Sequence, residues 1–187
     1  MDRRTTGHVI HLTGISGSGK TTLGNRLKHI LEKRKGRPVE FIDGDSARGF
    51  LEATSGFSLE ERHVVTKQIA YAAHLLSENG IDVVVANIAG TYGIRDYLRR
   101  KLKRYVQVFL DADVEDCIKH DVKGVYKRGE ESMRPDIYGL DIPYERPRQP
   151  DVIVYPYRES IIESMTRITR YLEETAFLKT DGVTYAK

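Results

Sequence analysis

The sequence has no tryptophan, and cysteine occurs once, at Cys117. One cysteine excludes an internal disulfide and fits a reducing compartment. Cys117 falls within a helical pattern, so it reads as a buried structural thiol rather than a reactive one. Nowhere do the roughly 18 consecutive apolar residues of a membrane helix occur. The first seven residues are short and polar, unlike the apolar core of a secretory leader, and a cytoplasmic protein is the expectation. A marked charge of one sign is also missing. Thirty Lys and Arg stand against 27 Asp and Glu, a formal charge of +3, so no basic stripe points to nucleic acid. There is no internal repeat, low-complexity tract or domain linker.

What is present is enough apolar sequence for a core: 40% of 187 residues, the size of a single domain spanning 1–187. Short β-branched runs alternate with longer helical patterns. Strands are expected over 8–12, 39–42, 81–88, 106–110 and 152–154. Helices are expected over 19–35, 59–78, 95–103, 114–120 and 159–177. The run 81–88 is the most apolar, as suits a strand buried on both faces. This alternation predicts an α/β fold, a five-stranded parallel sheet flanked by helices, whose ligands sit beyond the carboxyl ends of the strands. The segment 121–150, rich in Lys, Arg, Gly and Pro, is too long for an idle connection and reads as a mobile lid over the site.

Directly after the first strand, Gly14-Ile15-Ser16-Gly17-Ser18-Gly19-Lys20-Thr21 fits G-x-x-x-x-G-K-[ST] and opens a helix. That context identifies a P-loop. Glycines let backbone N–H groups close around a phosphate, and the following helix directs its positive end at the anion. Gly14, Ser16, Gly17, Ser18, Gly19, Lys20, Thr21 and Thr22 are therefore the expected ATP-binding residues. Lys20 would reach the β- and γ-phosphates, and the Thr21 hydroxyl would ligate Mg2+. No N-K-x-D guanine motif is present, which argues against a GTPase. Asp43-Gly44-Asp45 follows the second strand. Two carboxylates separated by one glycine can face one cavity, one on the metal side and the other accepting a proton from an acceptor hydroxyl. The pattern by itself does not say which does which.

Together these motifs resemble the adenylylsulfate kinase family, P-loop kinases that phosphorylate the ribose 3′-hydroxyl of adenylylsulfate. The likeness covers about 9–151. It is carried by 14–22, by Asp43-Gly44-Asp45 followed by Arg48, and by Gly56-Phe57-Ser58 with Arg62. Its most distinctive piece is Asp121-Val122-Lys123-Gly124-Val125-Tyr126-Lys127, followed by Gly139-Leu140-Asp141-Ile142-Pro143-Tyr144-Glu145. The resemblance implies that Asp45 is the base and Asp43 supports the metal and the acceptor side. It implies that Arg48 and Arg62 grip the acceptor's anionic end and that Phe57 stacks on its base. Lys123 and Lys127 would neutralise the transferring phosphoryl group. Asn87 and Ile88 after the third strand, with Ile137 and Tyr138 on the lid, would line the acceptor pocket, and a homodimer is implied.

The chain also departs from the pattern. Where the family has Phe-Ile-Ser-Pro-Tyr-Arg, this sequence has Asn87-Ile88-Ala89-Gly90-Thr91-Tyr92. An asparagine beyond Arg62 is Val65, a lid aromatic falls at Ile137, and the arginine before Asp121 is His120. These changes cluster on the acceptor side. They leave open a kinase for another nucleotide conjugate, such as cytidine diphosphoramidate. A non-catalytic ATP-sensing module is a further alternative, disfavoured because a sensor needs neither the base nor the lid lysines.

Overall fold

The computed structural model describes residues 6–51, 58–121, 124–127 and 137–175. Five parallel strands form one sheet: β1 (Val9–Thr13), β2 (Val39–Asp43), β3 (Asp82–Ala86), β4 (Tyr105–Leu110) and β5 (Val152–Val154), in the order β2-β3-β1-β4-β5. The helices are α1 (Lys20–Lys35), α2 (Gly44–Phe50), α3 (Leu59–Glu78), α4 (Tyr92–Lys101), α5 (Val114–Lys119) and α6 (Ile161–Glu174). All five expected strands are present. The last helix ends short of 177, with 176–187 outside the described residues. Helix α4 starts three residues before the expected 95, because the Thr91 hydroxyl caps it by accepting the Ile94 N–H. Helix α2 was not anticipated. Asp43, besides ending β2, caps it by accepting the N–H groups of Asp45 and Ser46.

The period of two along each strand divides the core between the faces of the sheet. Ile10, Leu12, Val84, Val108 and Leu110 meet α1 and α6 on one side. Val9, Val83 and Val85 meet α3 and α4 on the other. β1, in the middle, is buried along its whole length. Because every pairing is parallel, the carboxyl ends of the strands lie along one edge. The chain segments that follow Thr13, Asp43 and Ala86 therefore converge there.

Two buried polar groups stand out. At the amino edge Asp82 is fully buried and paired with Lys35 Nζ at 2.6 Å, Arg37 Nη2 at 3.0 Å and His8 Nδ1 at 3.2 Å. Burial alone would raise its pKa; hydrogen bonds from His8 and Lys35 reverse that and hold the carboxyl well below the usual range. Between the sheet and α3, His11 Nε2 is 2.6 Å from Asn87 Oδ1, and His11 Nδ1 is 2.6 Å from the Tyr105 hydroxyl. The amide oxygen only accepts, so Nε2 carries the proton and the Tyr105 hydroxyl donates to Nδ1. Burial lowers the His11 pKa to about 4, and the imidazole is neutral near pH 7.

This shift makes stability depend on pH. The unfolded chain protonates His11 near pH 6.5 and the folded one near 4, so stability is full above about 6.5 and falls as pH drops toward 4. The slope is up to about 1.4 kcal/mol per pH unit. Denaturant melts between pH 7 and 4.5 should show this direction, to which His8 and His63, lowered in the same sense by burial, also contribute, and His11→Gln should make the slope shallower. Equal slopes in the two proteins would contradict the assignment. Loss of the Asp82 pairs belongs to a separate window, below about pH 4.

Candidate functional site

Gly14 to Lys20 joins β1 to α1. Gly17 (φ 77°) and Gly19 (φ 85°) are both left-handed, a region other residues enter only with strain. Gly19 occupies the N-cap of α1 and has no side chain with which to cap it, and the first turn carries no acid. The N–H groups that begin α1 are thus presented to an anion. In contrast, α3 and α6 begin with capping boxes, Ser58 with Glu61 and Ser160 with Glu163.

Three successive carbonyls of this loop accept hydrogen bonds from side chains. Lys20 Nζ donates to Ile15 O at 2.6 Å, the Tyr126 hydroxyl to Ser16 O at 2.9 Å, and the Tyr157 hydroxyl to Gly17 O at 2.6 Å. Tyr157 is itself left-handed at φ 71°, unusual for a side chain of that size. Its ring stacks on His120 with centroids 4.5 Å apart. Below the loop, Ile15, Cys117, Tyr126 and Ile137 form a small apolar cluster. Cys117 is fully buried there, and burial pushes its thiol up to about 11, consistent with a structural thiol. Ser18 is buried, Ser16 and Thr21 are half-buried, and Thr22 is exposed.

The carboxylate pair lies beside the loop. Thr21 Oγ1 donates to Asp43 Oδ2 at 2.7 Å, while Asp43 Oδ1 accepts from the N–H of Asp45 at 3.0 Å and of Ser46 at 3.2 Å. Asp43 is thereby fixed between β2, α1 and α2. Asp45, in the first turn of α2, is exposed. Gly44 packs directly on Asn87: a Cβ at 44 would stand 2.7 Å from the Asn87 Cβ. Among the described residues no group of three or more His, Cys, Asp or Glu forms a metal cluster. The adjacent oxygens of Thr21 and Asp43 instead suit an ion that arrives with phosphates and needs one or two protein ligands.

On the acceptor side the structure divides the residues singled out by sequence. Arg48 and Arg62 are half-buried, on α2 and α3. The Arg62 guanidinium lies over the Tyr138 ring, 4.9 Å from its centroid. Ile88 is half-buried just past β3. Asn87 turns inward: its oxygen accepts from His11 and its Nδ2 donates to Thr66 Oγ1 at 3.2 Å. Ile137 packs beneath the P-loop. Val65 and Ala89, which stand where the family pattern has asparagine and serine, are 3% and 1% exposed within the α3/α4 core. Lys127 is exposed, and its N–H joins those of Val125 and Tyr126 in donating to the Asp121 carboxylate. Phe57 and Lys123 lie outside the described residues.

Sequence reasoning did not single out Arg95, Tyr144 or Tyr157. Arg95 is 5% exposed and donates to Ala89 O and Glu145 O, joining the segment after β3 to the one before β5. The Tyr144 hydroxyl is 3.2 Å from Thr13 Oγ1, which also accepts the Ala89 N–H. Burial pushes the Tyr144 phenol up to about 12, so it stays protonated. Tyr144 sits in the quoted 139–145 motif; Arg95 and Tyr157 carry no pattern that would mark them.

Comparison with known proteins agrees with this geometry. Residues 6–155 match the family model for adenylylsulphate kinase. The adenylyl-sulfate kinase of Rippkaea orientalis is 38% identical over 172 residues, covering 92% of this chain and 94% of that protein. A probable adenylyl-sulfate kinase of Pseudomonas aeruginosa is 37% identical, covering 88% and 76%. Among solved structures, the Mycobacterium tuberculosis APS kinase in complex with AMPPNP and APS superposes with a TM-score of 0.82 at 31% identity, covering 90% of this chain and 98% of that one. With its P-loop, paired aspartates and matched sequence, the chain is a kinase of the adenylylsulfate kinase family.

Proposed function

We propose that this chain transfers the γ-phosphate of ATP to the 3′-hydroxyl of adenylylsulfate. The observation that carries the reading is the division of labour between Asp43 and Asp45. Asp43 has both oxygens committed, to Thr21 and to the start of α2. Asp45, exposed in the first turn of α2, is assigned the proton of the incoming hydroxyl. Thr21 and, through water, Asp43 would hold Mg2+, which neutralises charge on the β- and γ-oxygens. Lys20 leaves the Ile15 carbonyl for the phosphates and supplies a fixed positive charge. Arg48 and Arg62 grip the acceptor's anionic end, Phe57 stacks on its base, and Lys123 and Lys127 neutralise the transferring phosphoryl group. Burial of Val65, Ala89 and Ile137 supports adenylylsulfate, because those departures exchange interior residues and leave the two arginines in place.

The active unit is proposed to be a homodimer. Val64, Tyr71 and Leu75 lie along one side of α3 at 43%, 64% and 47% exposure, an apolar stripe suited to a second copy. One solved relative, the APS kinase from Thiobacillus denitrificans, is hexameric; this chain spans 30% of it, at 25% identity and a TM-score of 0.69. Light scattering should give twice the chain mass, and Tyr71→Lys with Leu75→Lys should give a monomer. A wild-type monomer at micromolar concentration contradicts the dimer.

Turnover of a panel of adenosine, cytidine, uridine and guanosine 5′-conjugates tests the acceptor, and adenylylsulfate should have the highest kcat/KM. Preference for a cytidine conjugate would replace the acceptor and keep the kinase. Asp45→Asn should lower kcat about 10²–10⁴-fold with ATP binding little changed, and Lys20→Ala should cost about 10²-fold or more. If Asp43→Asn is far more damaging than Asp45→Asn, the two roles are exchanged.

Two of the loop carbonyls are held by tyrosine hydroxyls. Tyr126→Phe and Tyr157→Phe each remove one hydrogen bond, worth about 1 kcal/mol, or roughly fivefold in KM for ATP. The double variant should lose more than either single one, with kcat less affected. An unchanged ATP KM in the double variant would show that the loop holds its shape without them.

A further inference from the structure

We propose that Tyr138 is a positioning residue for Arg62, and that the absence of a side chain at Gly90 is what admits it. The part played by Arg62 rests on the function proposed above; the contact with Gly90 does not. Tyr138 is only 1% exposed, so it is packed as core rather than displayed to a ligand. Its ring lies against Gly90. A Cβ built there would stand 2.8 Å from the ring's Cδ1 and nearer still to Cε1 and Cζ, so the family-pattern proline at position 90 and Tyr138 cannot share this space.

The ring has little freedom to move. Its edge meets Tyr144 at 90° with centroids 6.2 Å apart. Around it the Gly139 N–H donates to Ile142 O at 2.8 Å, and the Glu145 N–H donates to Gly90 O at 2.9 Å. Arg95 spans Ala89 O and Glu145 O across the same junction. The guanidinium of Arg62, on a long half-buried side chain, rests over the face of this fixed ring. A cation over an aromatic face is held by the ring quadrupole, so a ring that cannot follow dictates where the cation sits. Arg62 is then ordered before an acceptor arrives, which lowers the entropy lost on binding.

Three variants separate this from a purely packing role. Tyr138→Leu keeps apolar bulk and loses the face; Tyr138→Phe keeps the face. Tyr138→Leu should raise KM for adenylylsulfate about five- to tenfold, with kcat and the ATP KM within about twofold, and Tyr138→Phe should restore the wild-type value. Equal acceptor KM in the two variants overturns the role. Gly90→Ala should lower Tm clearly in the wild-type background and much less beside Tyr138→Leu, where the space is free. Additive losses overturn the linkage. If wild type does not phosphorylate adenylylsulfate, the proposed function fails and the positioning is read by NMR instead. Arg62 side-chain protons should carry an upfield ring-current shift, present in wild type and Tyr138→Phe and absent in Tyr138→Leu. A shift that survives Tyr138→Leu, or is missing from wild type, overturns it.

Discussion

The loop between Gly14 and Lys20 has three successive carbonyls, those of Ile15, Ser16 and Gly17, and a carbonyl taken out of water needs a donor. Two of the three donors come from far away in sequence. Lys20 reaches back five residues to Ile15, Tyr126 crosses from the 124–127 turn to Ser16, and Tyr157 comes from the turn after β5 to Gly17. The phosphate cradle is thus held from outside by segments that follow β4 and β5. The cluster of Ile15, Cys117, Tyr126 and Ile137 beneath it ties the same segments to the loop by apolar contact. A left-handed Tyr157 is held by stacking on His120 and by its bond to Gly17, which offset the strain.

A parallel sheet brings the rest within reach of that cradle. With β1 central and β3 beside it, the residues after Thr13, Asp43 and Ala86 converge on one edge. Asp43 terminates β2, caps α2 and accepts from Thr21, so one carboxylate couples three elements. Its neighbour Asp45 is set one turn into a helix and left exposed. Gly44 has to be glycine because Asn87 fills the space where a Cβ would stand, and Asn87 is held in turn by His11 and Thr66. A buried polar network beneath the sheet edge therefore sets the height of the aspartate pair.

On the acceptor side, packing rather than polarity distinguishes this chain. Val65, Ala89 and Ile137 are interior residues, and the Asn87 amide is used up inside the protein. The segments after β3 and before β5 are joined through Arg95, the Glu145 N–H and the Tyr138 ring against Gly90. A cation such as Arg95 can be almost fully buried because two backbone carbonyls and the faces of Tyr92 and Tyr144 surround it.

The sequence by itself determined the fold class, the five strands and the P-loop. Each is a local pattern: β-branched runs of period two, glycines at fixed offsets, and a Lys-Thr pair opening a helix. It also put Asp43 and Asp45 on the same sheet edge as the P-loop, because a parallel sheet leaves the residue after each strand at one edge. Helix α2 escaped notice, since seven residues with two glycines and a single well-placed cap carry no helical periodicity. What only the tertiary structure decided is which polar side chains face a ligand and which face the core. Asn87 and Tyr138 look like ligand contacts in the sequence, yet both are packed as core, and Arg95 is buried with no pattern to mark it. Tyr157 has no motif, but it fastens a loop 140 residues earlier in the chain. Those outcomes depend on partners distant in sequence, and a local pattern does not encode where a side chain's partner will be once the chain has closed around it.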